Sequence, residues 1–474
     1  MLNLLDKIFK LFRPAFSHET TFNWFILVTF GFIIRFDHSG VTSIIRWLFL
    51  KPTHYDSLLL FFRTSSWKIE NLLSHWITIS LDIFPVMKFN DRLVLIGDGI
   101  KICKEAQKMP GVKRLHQDSQ NSSKKEIIWG HHIGYVGLLV GSLKKAFCLP
   151  LHGQLHEGID NIRLEKGING KPPTIVTRMA NLSVETAKKT GHSCYVTLDA
   201  YFSTGPAFTI FKATTNEFGQ QTAHLITRAK DSYVGYFTDY EEEFLNNKYH
   251  KDNKVKIIEW FDFPDFFKSL ELTTFNKTRT IEYAVLDLFW RPIDDVIRFV
   301  CVKDGAGLYI LMSSDLNLSA KDIITIYSYR SKIEVMFLFL KHLVGGFCYH
   351  FWTKSMPKLN RRKKNCLPEL NDQEIIKARQ VVEACEKFIN LAGIALGILQ
   401  YLALTQASMI WTGYSGWMRT YSSEIPSEAV VQNVIQIQFF SAVWWKVPFC
   451  LTLRVVRNKM RRPPIFGKGN FQMH

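Results

Sequence analysis

Two short apolar runs in this chain each close on a single aspartate. In Arg92-Leu-Val-Leu-Ile-Gly97-Asp98-Gly99 aliphatic residues run into Gly-Asp-Gly, and Cys194-Tyr-Val-Thr-Leu-Asp199 does the same with β-branched and aromatic residues. Apolar runs this short, bounded by turn residues, predict buried strands. Each strand then delivers one acid to its end, where the loops of an α/β sheet are free to vary and chemistry collects. Taken singly, either aspartate suits a turn or a helix N-cap just as well.

A third acid has more specific company. Tyr327-Ser-Tyr-Arg330-Ser-Lys-Ile-Glu334-Val-Met-Phe-Leu-Phe-Leu-Lys341 spaces Tyr327, Glu334 and Lys341 by sevens and sets Arg330 three residues after the tyrosine. At 3.6 residues per turn all four share one stripe of one helix. Ile333, Met336, Phe337 and Leu340 form an apolar flank that can pack on a core. A carboxylate beside two cations and a phenol suits metal binding with phosphate held alongside. An Arg330–Glu334 pair one turn apart is also an ordinary solvated helix surface.

Two aspartates on strands and a glutamate at this spacing resemble the acidic triad of DDE transposases. The pattern Tyr327, Arg330, Glu334, Lys341 matches the YREK signature of a large group of bacterial insertion-sequence transposases. Lys101 to His116, Gly130-His-His-Ile-Gly and Leu311-Met-Ser-Ser-Asp315 also look like that family, and the likeness covers roughly residues 10 to 410. It implies a ribonuclease H-like catalytic core. It also implies that Asp98, Asp199 and Glu334 hold two Mg2+ (or Mn2+) ions, with Asp98 bridging. Tyr327, Arg330 and Lys341 would contact DNA phosphates.

Composition agrees with a folded, polyanion-binding protein. A chain of 474 residues exceeds one ordinary core. Its formal charge of +17 points to nucleic acid or an anionic membrane. At 47% hydrophobic and 14% aromatic it has far more core than a basic tail. The eight cysteines form no C-x-x-C pair, which reads as a reducing cytoplasm without structural zinc. There is no Walker A sequence, so no nucleotide cofactor is expected. Met1 to Phe16 is interrupted by Arg13-Pro14 and lacks a small-residue cleavage site, so it does not read as a signal peptide. Ile389 to Trp411 is long enough to span a membrane, but Asn390, Gln400 and Gln406 are costly in lipid, and a buried helix is the better expectation.

The expected organisation is α/β, flanked by helical N- and C-terminal regions. Residues 1–88 read as helices, with Ser39 or Thr42 capping one and Lys51-Pro52 stopping it. The resemblance gives this region the DNA ends to bind. Residues 89–350 read as the catalytic domain, interrupted at about 230–313 by a β-rich insertion. Strand-like runs there are Lys254–Phe261, Thr280–Trp290, Ile297–Val302 and Leu308–Met312. Trp290 could stack on an unpaired base, though a core tryptophan is the simpler reading. Residues 351–474 hold a basic loop (353–364), helices and a basic tail (446–474), with dimerisation as a candidate role.

The function so implied is cut-and-paste transposition by a homodimer on double-stranded DNA, acting on the element's terminal inverted repeats and on target DNA, in a bacterial cytoplasm. The other readings are a decayed or domesticated transposase that only binds DNA, and a membrane-associated protein using 389–411.

Overall fold

A computed structural model describes residues 1–117, 126–163, 173–237, 254–305, 307–360, 370–417, 424–445 and 450–461. In chain order the helices are α1 (Leu2–Leu11), α2 (Glu19–Ile34), α3 (Gly40–Trp47), α4 (His54–Arg63), α5 (Ile69–Ile83), α6 (Asp160–Arg163), α7 (Ile175–Thr190), α8 (Gly205–Lys212), α9 (Ala320–Ser328), α10 (Lys332–His342), α11 (Asp372–Thr405), α12 (Ala407–Gly413), α13 (Glu428–Trp445) and α14 (Leu451–Arg457). The strands are β1 (Lys88–Phe89), β2 (Arg92–Cys103), β3 (Lys113–His116), β4 (Ile127–Gly141), β5 (Ala146–Leu155), β6 (Cys194–Thr197), β7 (Ala223–Arg228), β8 (Val234–Tyr236), β9 (Lys254–Lys256), β10 (Lys268–Thr274), β11 (Lys277–Trp290), β12 (Asp295–Asp304) and β13 (Gly307–Ser313). The fold is therefore α/β, as the sequence predicts.

The chain divides into two compact units. One comprises Met1–His75, Phe339–His350 and Glu383–His474; the other comprises Trp76–Leu338 and Phe351–Val382. Three of the four divisions fall within α5, α10 and α11, and the fourth follows His350.

The second unit is built on one mixed sheet. Strands run in the order β3-β4-β2-β6-β7-β13-β12-β11-β8-β9, with β1 paired to β2, β5 to β4 and β10 to β11. Among the described residues only β2–β6 and β6–β7 are parallel. β6 and β7 are buried nearly throughout and β2 from Leu93 to Gly97, as continuous apolar runs require when helices cover both faces. On one face α7 presents Met179 and Ser183 to Gly97, where an added Cβ would stand 3.2 and 3.3 Å from their side-chain atoms. On the other, Tyr135, opposite Asp98 on β4, meets Phe337 of α10 with ring centres 6.4 Å apart. Thr174 starts α7 with a capping box and Gly191 ends it at φ +69°, a left-handed cap that favours glycine.

The inserted strands do not make a separate sheet. β13 pairs antiparallel with β7 and extends the central sheet outward through β12 and β11. Of the run Lys254–Phe261 only the first three residues are strand; Ile257–Asp262 is a 3-10 helix that buries Ile257, Trp260 and Phe261. Sequence reading passes over β10, whose alternating Leu270 and Leu272 are masked by charged and hydroxyl neighbours. Part of the insertion, 238–253, lies outside the described residues. Trp290 is 3% exposed and packs on Phe208 and Tyr233, so it is a core side chain.

The first unit is helical. Helix α2 is apolar all round and buried from Trp24 to Ile34, packing on α13 and α14. Asp6 of α1 accepts hydrogen bonds from the Thr452 backbone (2.9 Å), the Thr452 hydroxyl and the Leu451 backbone, capping the start of α14. Arg35, 1% exposed, donates to the carbonyls of Gly40 (3.0 Å), Val344 and Gly345 (2.9 Å). Helix α3 stops at Trp47, ahead of Lys51-Pro52, because Phe49 turns left-handed at φ 53°. Ser39 occupies its N-cap position without a side-chain cap bond.

One described helix, α11, is long and apolar enough to cross a membrane, and 83% of its most apolar window is buried inside the protein. The expected single helix from 389 to 411 is broken at Gln406 (φ −126°, ψ 25°), so Thr405 ends α11 and Ala407 begins α12. Two of the amides in that segment have partners: Asn390 Nδ2 donates to the Glu386 carbonyl at 2.9 Å and Gln400 Nε2 to Glu428 Oε1 at 3.1 Å. The basic loop is described only to Asn360. Of the basic tail only 450–461 is described, and the rest lies outside.

Candidate active site

Parallel pairing brings the two aspartates together. The last register pair of β2 and β6 is Ile96 with Thr197, so Asp98 and Asp199 each stand two residues further along neighbouring strands. Asp199 follows the end of β6 and starts the 3-10 turn Ala200–Phe202. Asp98 does not end its strand, contrary to the sequence reading. β2 continues through it to Cys103, because antiparallel pairing with β4 persists from Leu95 to Cys103. The flanking glycines that look like terminators serve packing instead. An added Cβ on Gly99 would meet His132 Nε2 at 2.4 Å, and one on Gly97 would meet Leu198 at 2.6 Å.

The segment from Tyr327 to Lys341 is also not one helix. Ser319 caps α9 by accepting from the Asp322 N–H at 3.0 Å, and α9 ends at Ser328. A 3-10 turn, Tyr329–Ser331, follows, and α10 starts at Lys332. Tyr327 and Arg330 thus lie on one side of the break or within it, while Glu334 and Lys341 ride on α10. The apolar flank holds: Ile333, Met336, Phe337 and Leu340 are all buried.

One guanidinium gathers the acids from all three elements. Arg330 Nη1 donates to Asp98 Oδ2 at 3.0 Å and Nη2 donates to Glu334 Oε1 at 2.8 Å. Nη2 also lies 3.8 Å from Asp199 Oδ1. Their side-chain exposures differ: 22% for Asp98, 43% for Asp199, 60% for Glu334 and 16% for Arg330. Burial raises the Asp98 pKa above the usual carboxylate range, and the Asp199 charge pushes the same way; Arg330 and the Gly99 N–H oppose it. Burial works against the Arg330 charge, yet Asp98, Asp199, Tyr327 and Glu334 outweigh it and hold the group protonated.

Tyr327 is half-buried beside the same groups. Burial pushes its phenol up to about 12, with Arg330 and Arg228 pulling down and Asp199 and Asp98 pushing up. It therefore stays a hydrogen-bond donor at neutral pH. Arg228, at the end of β7, is thereby placed next to the site, a position that its sequence context left equal to an ordinary surface cation. Lys341 stands two helical turns beyond Glu334 on α10.

The donor chemistry here is all carboxylate oxygen, which suits a hard divalent ion. Among the described residues no three His, Cys, Asp or Glu side chains stand close enough to hold a metal ion together. It is the guanidinium that groups the three acids.

Sequence reasoning missed what fixes the break before α10. Tyr329 is 0% exposed and its hydroxyl donates to the Leu143 carbonyl at 2.8 Å. Its ring meets Phe275, 4.9 Å between centres at 67°. An aromatic inside the signature was the available signal. No family model matches this chain, and no curated protein matches it.

Proposed function

We propose that this chain is a DDE-type DNA transposase with a ribonuclease H-like core. The observation that carries the reading is the convergence of Asp98, Asp199 and Glu334, 236 residues apart from first to last (334 − 98), on the one guanidinium of Arg330. The order β5–β4–β2–β6–β7, with three parallel neighbours and an antiparallel hairpin at one side, supports the core assignment. The formal charge of +17 supports a nucleic-acid substrate.

Asp98, Asp199 and Glu334 would hold Mg2+ or Mn2+, which supplies charge neutralisation at the scissile phosphate and a more acidic bound water. Water oxygen bonds to phosphorus as the bond to the 3′ oxygen breaks, leaving a 3′ hydroxyl on the element end and a 5′ phosphate on the flank. That hydroxyl then attacks a target phosphodiester, one bond forming as one breaks, so no nucleotide is consumed. Arg330 is the natural grip for a phosphate oxygen, since a planar fork binds phosphate as readily as carboxylate. Tyr327 donates one further hydrogen bond, and Lys341 places a cation along the strand. Two ends must be cut together, so a homodimer on the terminal inverted repeats, working in the cytoplasm of a bacterium, completes the reading. The amides that find protein partners along α11 favour a buried helix over a membrane span.

The test is cleavage of DNA that carries the element's own flanking ends, with Mg2+ and with chelator. Cutting should require the metal. Asp98→Ala, Asp199→Ala and Glu334→Ala should each abolish it while end binding persists. A parent protein that binds the ends but never cuts would leave only a DNA-binding role.

A further inference from the structure

The hairpin joining β10 and β11 turns at Phe275 (φ 54°) and Asn276 (φ 60°), both left-handed. Two left-handed central residues define a tight hairpin turn that matches strand twist and favours Asn and Gly. Asn276 suits it, whereas a bulky aromatic at Phe275 does not. A conformation this unfavourable persists only where surroundings over-determine it. Those surroundings are specific: the Phe275 ring packs edge-on against buried Tyr329, and Lys332 Nζ lies 4.6 Å over its face. The Thr273 and Thr278 hydroxyls, 2.9 Å apart, brace the strands just behind the tip. On its other side Tyr329 is tied to Leu143, in the turn between β4 and β5.

Two hairpin tips therefore grip the residue immediately before Arg330, one from the central strands and one from the insertion. From this geometry we infer that Phe275 is a positioning residue. It holds the 3-10 turn Tyr329–Ser331 between α9 and α10, and so sets Arg330 between Asp98, Asp199 and Glu334. The inserted strands thus form part of the machinery that aligns the site. The consequence for cutting rests on the function proposed above; the placement does not.

Phe275→Asn separates the two roles of the residue, because asparagine accepts the left-handed turn but cannot replace the ring. Hydrogen exchange on the full-length protein should show the amides of 328–334 exchanging about tenfold faster or more, with hairpin amides 270–281 unchanged. Phe275→Tyr should restore parental exchange. Phe275→Gly, equally suited to the turn, serves as the second variant. Exchange at 328–334 within about twofold of the parent would overturn the inference. So would loss of hairpin protection in both variants, since the ring would then be holding the hairpin and not the helix break. On DNA, Phe275→Asn should lower the cutting rate about tenfold or more and leave end binding within about twofold. Parental cutting despite loosened amides would also sink it. A parent that does not cut refutes the proposed function alone, and the exchange result still decides the placement.

Discussion

Lysine in place of Arg330 asks whether charge alone gathers the acids. A guanidinium reaches Asp98 and Glu334 through different nitrogens; an ammonium is a point charge on a flexible stem. Arg330→Lys should keep the net charge and lose at least one charge-assisted hydrogen bond. Cutting should then fall roughly tenfold or more, the rate equivalent of about 1.4 kcal/mol. A nicking assay with parental activity in that variant would show that charge suffices. Arg35 offers a stability test in the other unit. Its alanine variant strands the buried carbonyls of Gly40, Val344 and Gly345, and should cost roughly 3 kcal/mol or more in urea unfolding.

Among elements, the strands were the most legible and their limits the least. Apolar runs predicted β2, β6 and β7, but Gly97 and Gly99 read as an ending when they are clearances for Leu198 and His132. Helical periodicity put Tyr327 to Lys341 on one stripe and could not register the 3-10 turn at Tyr329–Ser331, which tertiary contacts from Leu143 and Phe275 hold in place. The pairing of β2 with β6, which joins Asp98 to Asp199, is a contact across about a hundred residues that no local pattern encodes.

Beside β2, strands β4 and β5 and the residue after β5 carry four buried histidines, with His132, His152 and His156 on the α7 side and His131 on the other face of β4. His132 and His156 face each other across β4 and β5, ring centres 6.0 Å apart, and neither nitrogen of His156 has a hydrogen-bond partner. Burial pushes His131 down to about 3 and His132 and His152 to about 4, and His156 well below its usual value. Between pH 6.5 and about 4 the unfolded chain takes up these protons and the folded protein does not. Stability should thus be full above pH 6.5 and fall on acidification, by up to about 1.4 kcal/mol per pH unit for each histidine. Urea midpoints measured at pH 7, 6 and 5 check this, and His156→Asn should flatten the dependence.

At the scale of the whole molecule the charge excess was legible and its distribution was not. If it is a DNA footprint, the logarithm of the binding constant should fall with log salt by roughly 0.9 per phosphate neutralised. The basic tail is a poor single target, because Arg454, Arg457 and Lys459 belong to or adjoin α14, a helix capped by Asp6, and Lys459 stacks over Trp24 at 4.1 Å. Truncation before Arg462 avoids that helix and removes only Arg462 and Lys468, so the slope should drop by no more than about 1.8. A larger change in filter-binding titrations would mean that the deletion disturbs more than two phosphate contacts.

Helix α2, apolar on every side, finds its cover in α13 and α14, roughly 400 residues further along the chain. A ribosome adding roughly 5–20 residues per second needs about 20–80 s to make that stretch. Through that interval the nascent chain comes to contain Asp98, Asp199 and finally Glu334, yet α2 has only its neighbours α1, α3 and α4 to pack on and lacks α13 and α14. A message cut short after the third acid yields a product whose α2 is left for chaperones and proteases to meet. Synthesis as far as α14 is in this way a condition for the first unit to close, built into the order in which its pieces are made.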